Sequence, residues 1–292
     1  MNLTVLELIE ASAAQLEAAG LTFENGFGQG TTNAFDEAAW LVLWQLGLPL
    51  DDLDSVSNRP VAQAERAQVA TLLGARISNR KPAAYLTHEA WLMGVSFYVD
   101  ERVIIPRSFI AELLVDESID PWLGEDTRRV LDLCTGNGSL AVLAAMTYPE
   151  VSVDAADISR DALAVARINV DKHALGSRIT LIESDGLLAC PGKYDLILCN
   201  PPYVNATSMA ALPAEFKAEP TLALAGGSDG MDFNRSLFLT AAAHMSENGV
   251  LVLEIGNERD NFERAFPQLE PLWFETSAGS DQVMLITREQ LV

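Results

Sequence analysis

From Val130 onward the chain alternates short apolar runs with amphipathic segments, and nothing else in it limits the fold so tightly. Apolar runs of about four to eight residues bounded by turn signals read as buried strands. Strands that alternate with helical patterns must pair in parallel, with the helices as crossovers. The predicted strands are 130–134, 151–156, 179–183, 194–199 and 250–255. The helices between them are 140–146, 161–173 (Ser159 as cap, Gly176 as stop) and 233–245. Residues 272–275 and 283–287 lack an intervening helix and predict a closing antiparallel pair. The fold class is therefore α/β, a doubly wound, Rossmann-like sheet.

The chain before it has another character. Thr4 and Glu7 fit a capping box, Leu6, Ile9, Ala13 and Leu16 recur at helical spacing, and Gly20 ends the run. Asp36 is the expected cap of a helix over 37–46, with Gly47 behind it, and a third helix spans 61–79. Residues 1–84 thus read as a small helical domain with Trp40 and Trp44 in its core. Residues 85–107 read as a hairpin linker, with strand-like 91–99 and 103–105 around Gly94 and the Asp100-Glu101 turn. A helix from Arg107 and Ser108 through Ile110, Leu113 and Leu114 opens the domain 108–292.

Three stretches carry chemistry. Asp132-Leu133-Cys134-Thr135-Gly136-Asn137-Gly138 leaves the first strand of the sheet and, with Ala141, matches G-x-G-x-x-A, while Asp157 ends the second strand. Glycines there let backbone approach a ligand, and the carboxylate suits two ribose hydroxyls. NAD and S-adenosylmethionine both satisfy this pattern. Asp132 separates them, since a carboxylate below the loop repels a pyrophosphate and attracts the cationic methionine end of S-adenosylmethionine. Ser184-Asp185, ending the third strand, is placed for an adenine amino group. The third stretch is Asn200-Pro201-Pro202-Tyr203, after the strand 194–199. Two prolines end strand pairing and push the preceding residue to extended geometry, so Asn200 is held at the sheet's carboxyl edge. Asn200 and the Pro201 carbonyl offer two acceptors about one amino group apart, with Tyr203 as a flat wall. A plain turn fits the four residues alone about as well. Gly226-Gly227-Ser228-Asp229-Gly230 matches a nucleophile elbow, but His244 falls inside a predicted helix with no acidic loop before it, so a hydrolase is rejected.

A net charge of −22 opposes a nucleic-acid substrate and favours a basic protein, although solubility or a salty habitat also explains it. Cys134, Cys190 and Cys199 are too few for a disulfide framework or a metal knuckle, the two in predicted strands (Cys134 and Cys199) read as small core residues, and His88, His173 and His244 lack ligand spacing, so no metal is expected. The N-terminus has no secretory pattern and no apolar run is long enough for a bilayer, which predicts a cytoplasmic protein without a membrane partner.

Together these motifs resemble the class I S-adenosylmethionine-dependent methyltransferases, and within them the HemK-type protein-(glutamine-N5) methyltransferases. The strings 80–87, 99–108 and 212–215, together with Glu219-Pro220, Gly230-Met231-Asp232, Glu254-Ile255-Gly256-Asn257 and 287–291, are similar to the branch acting on large-subunit ribosomal protein L three. They are less like the branch acting on release factors. The resemblance implies a seven-stranded sheet with an antiparallel last strand, and methyl transfer from S-adenosylmethionine to a glutamine side chain. The substrate expected is free ribosomal protein L three, before or during large-subunit assembly. The helical domain is implied to recognise that substrate. The implied cofactor residues are Asp132, Cys134, Thr135, Gly136, Asn137, Gly138, Asp157, Ile158, Asp185, Gly186 and Asn200. Asn200, Pro201, Pro202 and Tyr203 would hold the glutamine. Phe109 stands where the family is expected to carry proline, Asn137 and Ser139 where Ser and Cys are expected, and Gly186 where a large side chain is common. The alternatives are a glutamine methyltransferase acting on class I peptide chain release factors, more distantly a DNA adenine methyltransferase, which uses the same corner on an exocyclic amine, and a non-catalytic module retaining the cofactor fold. Glu215, Glu219, Asp229 and Asp232 are expected to make the loop beside the corner acidic.

Overall fold

The structure is a computed structural model that describes residues 3–23 and 25–292. It forms two compact units, one of Met1–Ala90 with Leu212–Ala218, the other of Trp91–Ala211 with Glu219–Val292.

The first unit is helical: α1 (Val5–Ala18), α2 (Ala34–Leu46), α3 (Leu53–Val56), α4 (Gln63–Asn79) and α5 (Ala83–Thr87). Thr4 and Glu7 make the expected capping box, each side chain bonding the other's backbone N–H. The second cap is Asn33, whose side chain accepts from the Asp36 N–H, so Asp36 lies in the first turn and is not the cap. Ile9, Leu16, Leu41, Val42, Val69 and Leu73 build the core, and Trp40 packs against it. Within this unit Arg76 is fully buried. Its guanidinium donates to Glu37 at 2.6 Å, Glu215 at 2.9 Å and the Gly26 carbonyl at 2.5 Å. Arg80 adds a second cation to Glu215 at 2.5 and 2.9 Å. Burial raises the Glu37 carboxyl, whereas Arg80 and Arg76 outweigh burial and hold Glu215 below its ordinary value.

The second unit begins inside β1 (Ala90–Leu92), at Trp91, and β1 pairs with β2 (Val95–Phe97) about the Met93-Gly94 turn. Residues 103–105 are not a strand. Their N–H groups go to single acceptors, Val103 to the Asp100 carbonyl and Ile105 to the Glu219 carboxylate. The next helix, α6 (Ile110–Val115), starts after Ser108. Then follow β3 (Arg129–Leu133), α7 (Ser139–Thr147), β4 (Ser152–Asp157), α8 (Arg160–Lys172), β5 (Ile179–Glu183), β6 (Tyr194–Cys199) and α9 (Ala206–Ala211). The chain closes with α10 (Asp232–Phe238), β7 (Met245–Glu254), α11 (Arg259–Ala265), β8 (Leu272–Trp273) and β9 (Val283–Thr287). The helix expected to reach residue 245 stops at Phe238, because Met245 already pairs with Tyr194 in the sheet. Ser159 caps α8 as expected, but the left-handed turn after it falls on Ala174 and not on Gly176.

The sheet has the order β5-β4-β3-β6-β7-β9-β8, with β3 to β7 parallel and β9 antiparallel to both neighbours. Strands Val130, Leu196 and Val252 face one helical layer, and Leu131, Ile197 and Leu253 the other, so both faces are buried. The order reverses between β3 and β6, which opens a crevice at their carboxyl ends. Among the described residues no helix is long and apolar enough to cross a membrane.

Candidate active site

A cavity of about 280 Å³ lies at that reversal. The β3 loop gives Cys134, Thr135, Gly136 and Asn137, the end of β4 gives Asp157 and Ile158, and the end of β5 gives Ser184, Asp185 and Gly186. Asn200 and Pro202 come from the end of β6. Leu133 pairs with Cys199, so the parallel register carries the two loops side by side.

The β3 loop is tied down from below. Asp132 is buried, and one carboxylate oxygen accepts from the Thr135 hydroxyl and, at 2.9 Å, the Ala141 N–H. Its other oxygen is buried without a hydrogen-bond partner among the described residues, and Asp132 does not line the cavity. Burial pushes its carboxyl up to about 7. Asp157 receives the Gly136 N–H at 2.9 Å and the Ser159 N–H at 2.8 Å, which aims the carboxylate along the loop. Gly136 sits at φ +54° with open space where a Cβ would be, a gap at the mouth of the loop. Gly138 caps α7 in the left-handed region and does not itself line the cavity. Cys134 lines the cavity and lies beside Cys199, whose thiol together with burial raises it well above the ordinary value. Ser184 spends its hydroxyl on the Gly186 carbonyl at 2.7 Å and the Ala189 N–H at 3.0 Å, leaving Asp185 to face the cavity.

The other wall was not assigned from the residues. Ile104, Pro106, Arg107 and Ser108 line it, with Pro220, Leu222, Ala223 and Phe233. Arg107 and Glu219 form a two-point pair, 2.6 Å at both contacts. Glu254 is buried and accepts from Ser108 Oγ at 2.6 Å, Phe109 N–H at 2.9 Å and Tyr203 Oη at 3.3 Å. Burial pushes its carboxyl up to about 7. The only signals for this wall were the strings 99–108, Glu219-Pro220, Gly230-Met231-Asp232 and Glu254-Ile255-Gly256-Asn257. Phe109 now has a reason: a proline there has no N–H to give Glu254.

Two expectations change. Neither Pro201 nor Tyr203 lines the cavity; the tyrosine ring lies on Gly256 and its hydroxyl reaches Glu254. The expected acidic loop is largely neutralised, since Glu215 pairs with Arg76 and Arg80, Glu219 with Arg107, and Asp229 and Asp232 with Arg235.

Carboxyls raised by burial make stability depend on pH, Asp132 and Glu254 most of all. Asp132 and Glu254 are each raised to about 7, above their unfolded values, so the native state holds more protons than the unfolded chain between those values. Their contribution is present at the acid end and is lost as pH rises through about 7. Asp100, lowered to about 2 by Arg102, acts only below about pH 4 and in the opposite sense. The urea midpoint is therefore expected to be higher near about pH 5 than near about pH 8, with Asp132→Asn flattening the drop. A midpoint that climbs over this range would contradict the assignment.

The methyltransferase small domain family matches residues 111–226. Ribosomal protein uL3 glutamine methyltransferase of Bordetella pertussis is 51% identical over 291 residues, covering 99% of this chain and 96% of its own. The protein of that name from Burkholderia pseudomallei is 49% identical, covering 99% and 95%. In fold alone, the catalytic domain of hMettl16 in complex with the MAT2A 3'UTR hairpin 6 is similar, with TM-score 0.51 and 14% identity over 79% of this chain and 84% of that one. The protein is a class I methyltransferase and its cofactor is S-adenosylmethionine. The crevice suits that group: an open backbone cradle, the Asp157 carboxylate at its rim and a buried carboxylate beneath, while the two arginines that line it, Arg102 and Arg107, are paired with Asp100 and Glu219. Identity near one half along almost the whole length, carried on this sheet, makes the chain a member of the ribosomal protein uL3 glutamine methyltransferase family.

Proposed function

We propose that this enzyme methylates the side-chain amide nitrogen of a glutamine in ribosomal protein uL3, taken free and in the cytoplasm, and does not act on nucleic acid. The observation that carries this is the near-full-length identity to enzymes bearing that activity in their names.

When bound, S-adenosylmethionine supplies an electrophilic methyl on a sulfonium. The protein's task is to present a poor nucleophile, because an amide lone pair is delocalised into its carbonyl. Asn200 Oδ1 and the Pro201 carbonyl accept the two amide hydrogens and hold the nitrogen where its lone pair can point at the methyl. Pro201 and Pro202 keep both acceptors stiff. Asp157, already oriented by two backbone N–H groups, keeps lone pairs for ribose hydroxyls. Asp132 acts through its field, since its free oxygen is buried. Asp185 would take the adenine amino group, with Ile158 and Gly186 beside it in the cavity lining and Cys134, Thr135, Asn137 and Gly138 shaping the loop. Choice of protein substrate lies in the helical domain, the hairpin at Gly94 and the segment 204–230. Because the acidic residues of that segment are mostly paired, attraction of a basic partner falls to the overall charge of −22.

Asp157→Ala is expected to raise the KM for S-adenosylmethionine by about tenfold or more while turnover at saturation changes little, a loss of binding shared by ground and transition states. Initial rates over a cofactor series measure this. For the substrate, free uL3, assembled large subunits and a release factor are compared at matched concentration, with the methylated residue located by mass spectrometry. Free uL3 should gain one methyl on a glutamine fastest, and added salt should slow it. A faster release factor, or label in nucleic acid, would overturn the proposal.

A further inference from the structure

The glycine-rich stretch that mimicked a nucleophile elbow has a different use. After β6 the chain turns so that the Val204 N–H donates to the Leu224 carbonyl at 2.8 Å, and the Gly226 N–H donates back to the Val204 carbonyl at 2.9 Å. Gly226 lies so close that a Cβ on it would sit 2.7 Å from Tyr203 Cα, and Gly230 is pressed against the Tyr203 carbonyl in the same way. Gly256, at φ +53°, lies under the tyrosine ring, where a Cβ would come 2.5 Å from Cε2. The phenol hydroxyl then meets Glu254, whose second oxygen holds Ser108 and Phe109. Tyr203 is therefore gripped along its backbone, under its ring and at its hydroxyl. Asn200 and Pro202, three residues and one residue before it, face the cavity, whereas Tyr203 does not.

We propose that Tyr203 is a positioning residue and not a wall of the glutamine site: seated by Glu254, Gly256 and the 226–230 loop, it fixes the orientation of Asn200 and Pro201. This rests on the reading of Asn200 as the amide acceptor. With two prolines between the asparagine and the seated tyrosine, few torsions remain to blur the position of the acceptors. Transfer to an amide nitrogen demands alignment, and a misplacement of about 1 Å can cost on the order of 10²-fold. The same carboxylate also grips Ser108 and Phe109, so one buried group sets two edges of the cavity. Glutamine at position 254 can reproduce the seat, its carbonyl accepting from Ser108 and Phe109 and its N–H donating to the Tyr203 oxygen.

The test uses the full chain. Tyr203→Phe keeps the ring and removes only the hydroxyl. It is expected to lower kcat on uL3 by about tenfold or more, with the KM values for uL3 and S-adenosylmethionine little changed. Glu254→Ala should do the same, the double variant should be no worse than Glu254→Ala, and Glu254→Gln should recover most of the rate. Hydrogen exchange at the Val204 and Gly226 amides is the second readout. It should quicken in Tyr203→Phe and Glu254→Ala but not in Glu254→Gln. A Tyr203→Phe enzyme with wild-type kcat and wild-type exchange overturns the proposal, as does a loss confined to the KM for uL3, which is what a substrate wall would give. If the wild type itself leaves uL3 unmethylated, the substrate reading fails, and the exchange measurement still decides whether the seat exists.

Discussion

Asn200→Ala is expected to lower kcat by roughly 10²–10³-fold, a barrier increase of about 3 kcal/mol. The dissociation constant of S-adenosylmethionine should change little. Asn200 stands at the end of β6, inside the cavity, and its register with β3 is set by the Leu133–Cys199 pairing below it. Its backbone is fixed by the prolines that follow, so truncation removes an acceptor without releasing the corner. Isothermal titration with the cofactor, beside single-turnover methylation of uL3, separates the two effects. If cofactor affinity and thermal stability fell in parallel with the rate, Asn200 would be a scaffold residue and the assignment of its amide oxygen to the substrate would be lost.

Arg76→Ala should be the most destabilising of the simple substitutions in the helical unit, at about 3–5 kcal/mol near neutral pH, because it strands a buried carboxylate. Arg76 is 0% exposed and serves Glu37, Glu215 and the Gly26 carbonyl at once. Glu215 keeps Arg80, whereas Glu37 is left with the Thr31 hydroxyl at 3.0 Å. Glu37 is already raised by burial, so without its arginine it protonates more readily. The loss should therefore shrink as the pH is lowered. Urea unfolding of wild type and variant at two pH values checks both statements, and a loss independent of pH would mean that packing, not charge, is what Arg76 provides.

The sheet was legible because its signal is local: β5 and β6 were read to the residue, since buried parallel strands show as unbroken apolar runs between turn residues. Failures came where tertiary pairing overrode local pattern. Residues 103–105 look like a strand, yet their N–H groups find single acceptors. Met245 continues a helical pattern, yet it pairs with Tyr194. The helix α11 went unseen because it is short and holds one large apolar residue, Phe262, which gives no periodicity. At the site, the β3 loop stood out because its glycines fit a backbone cradle, whereas Asn200 and its two prolines, which fit a plain turn about as well, needed the rest of the chain to single them out. The opposite wall did not, because Arg107, Glu219 and Glu254 are matched across more than a hundred positions and nothing local to any one of them names its partner. The same blindness made four acidic residues look like a charged surface when each has an arginine.

The stitch between Arg76 and Glu215 also sets a timetable. The two residues are 139 positions apart, and the segment that brings Glu215 home is followed by the rest of the cavity wall. At about 5–20 residues per second of synthesis, roughly seven to thirty seconds separate the appearance of the arginine from that of its second carboxylate. A helical unit emerging from the ribosome must wait that long with an incomplete interior, its buried arginine held only by Glu37 and the Gly26 carbonyl. A fragment ending at residue 90 would stay in that condition permanently, so the first unit is not a detachable module but a guest that its own chain finishes late.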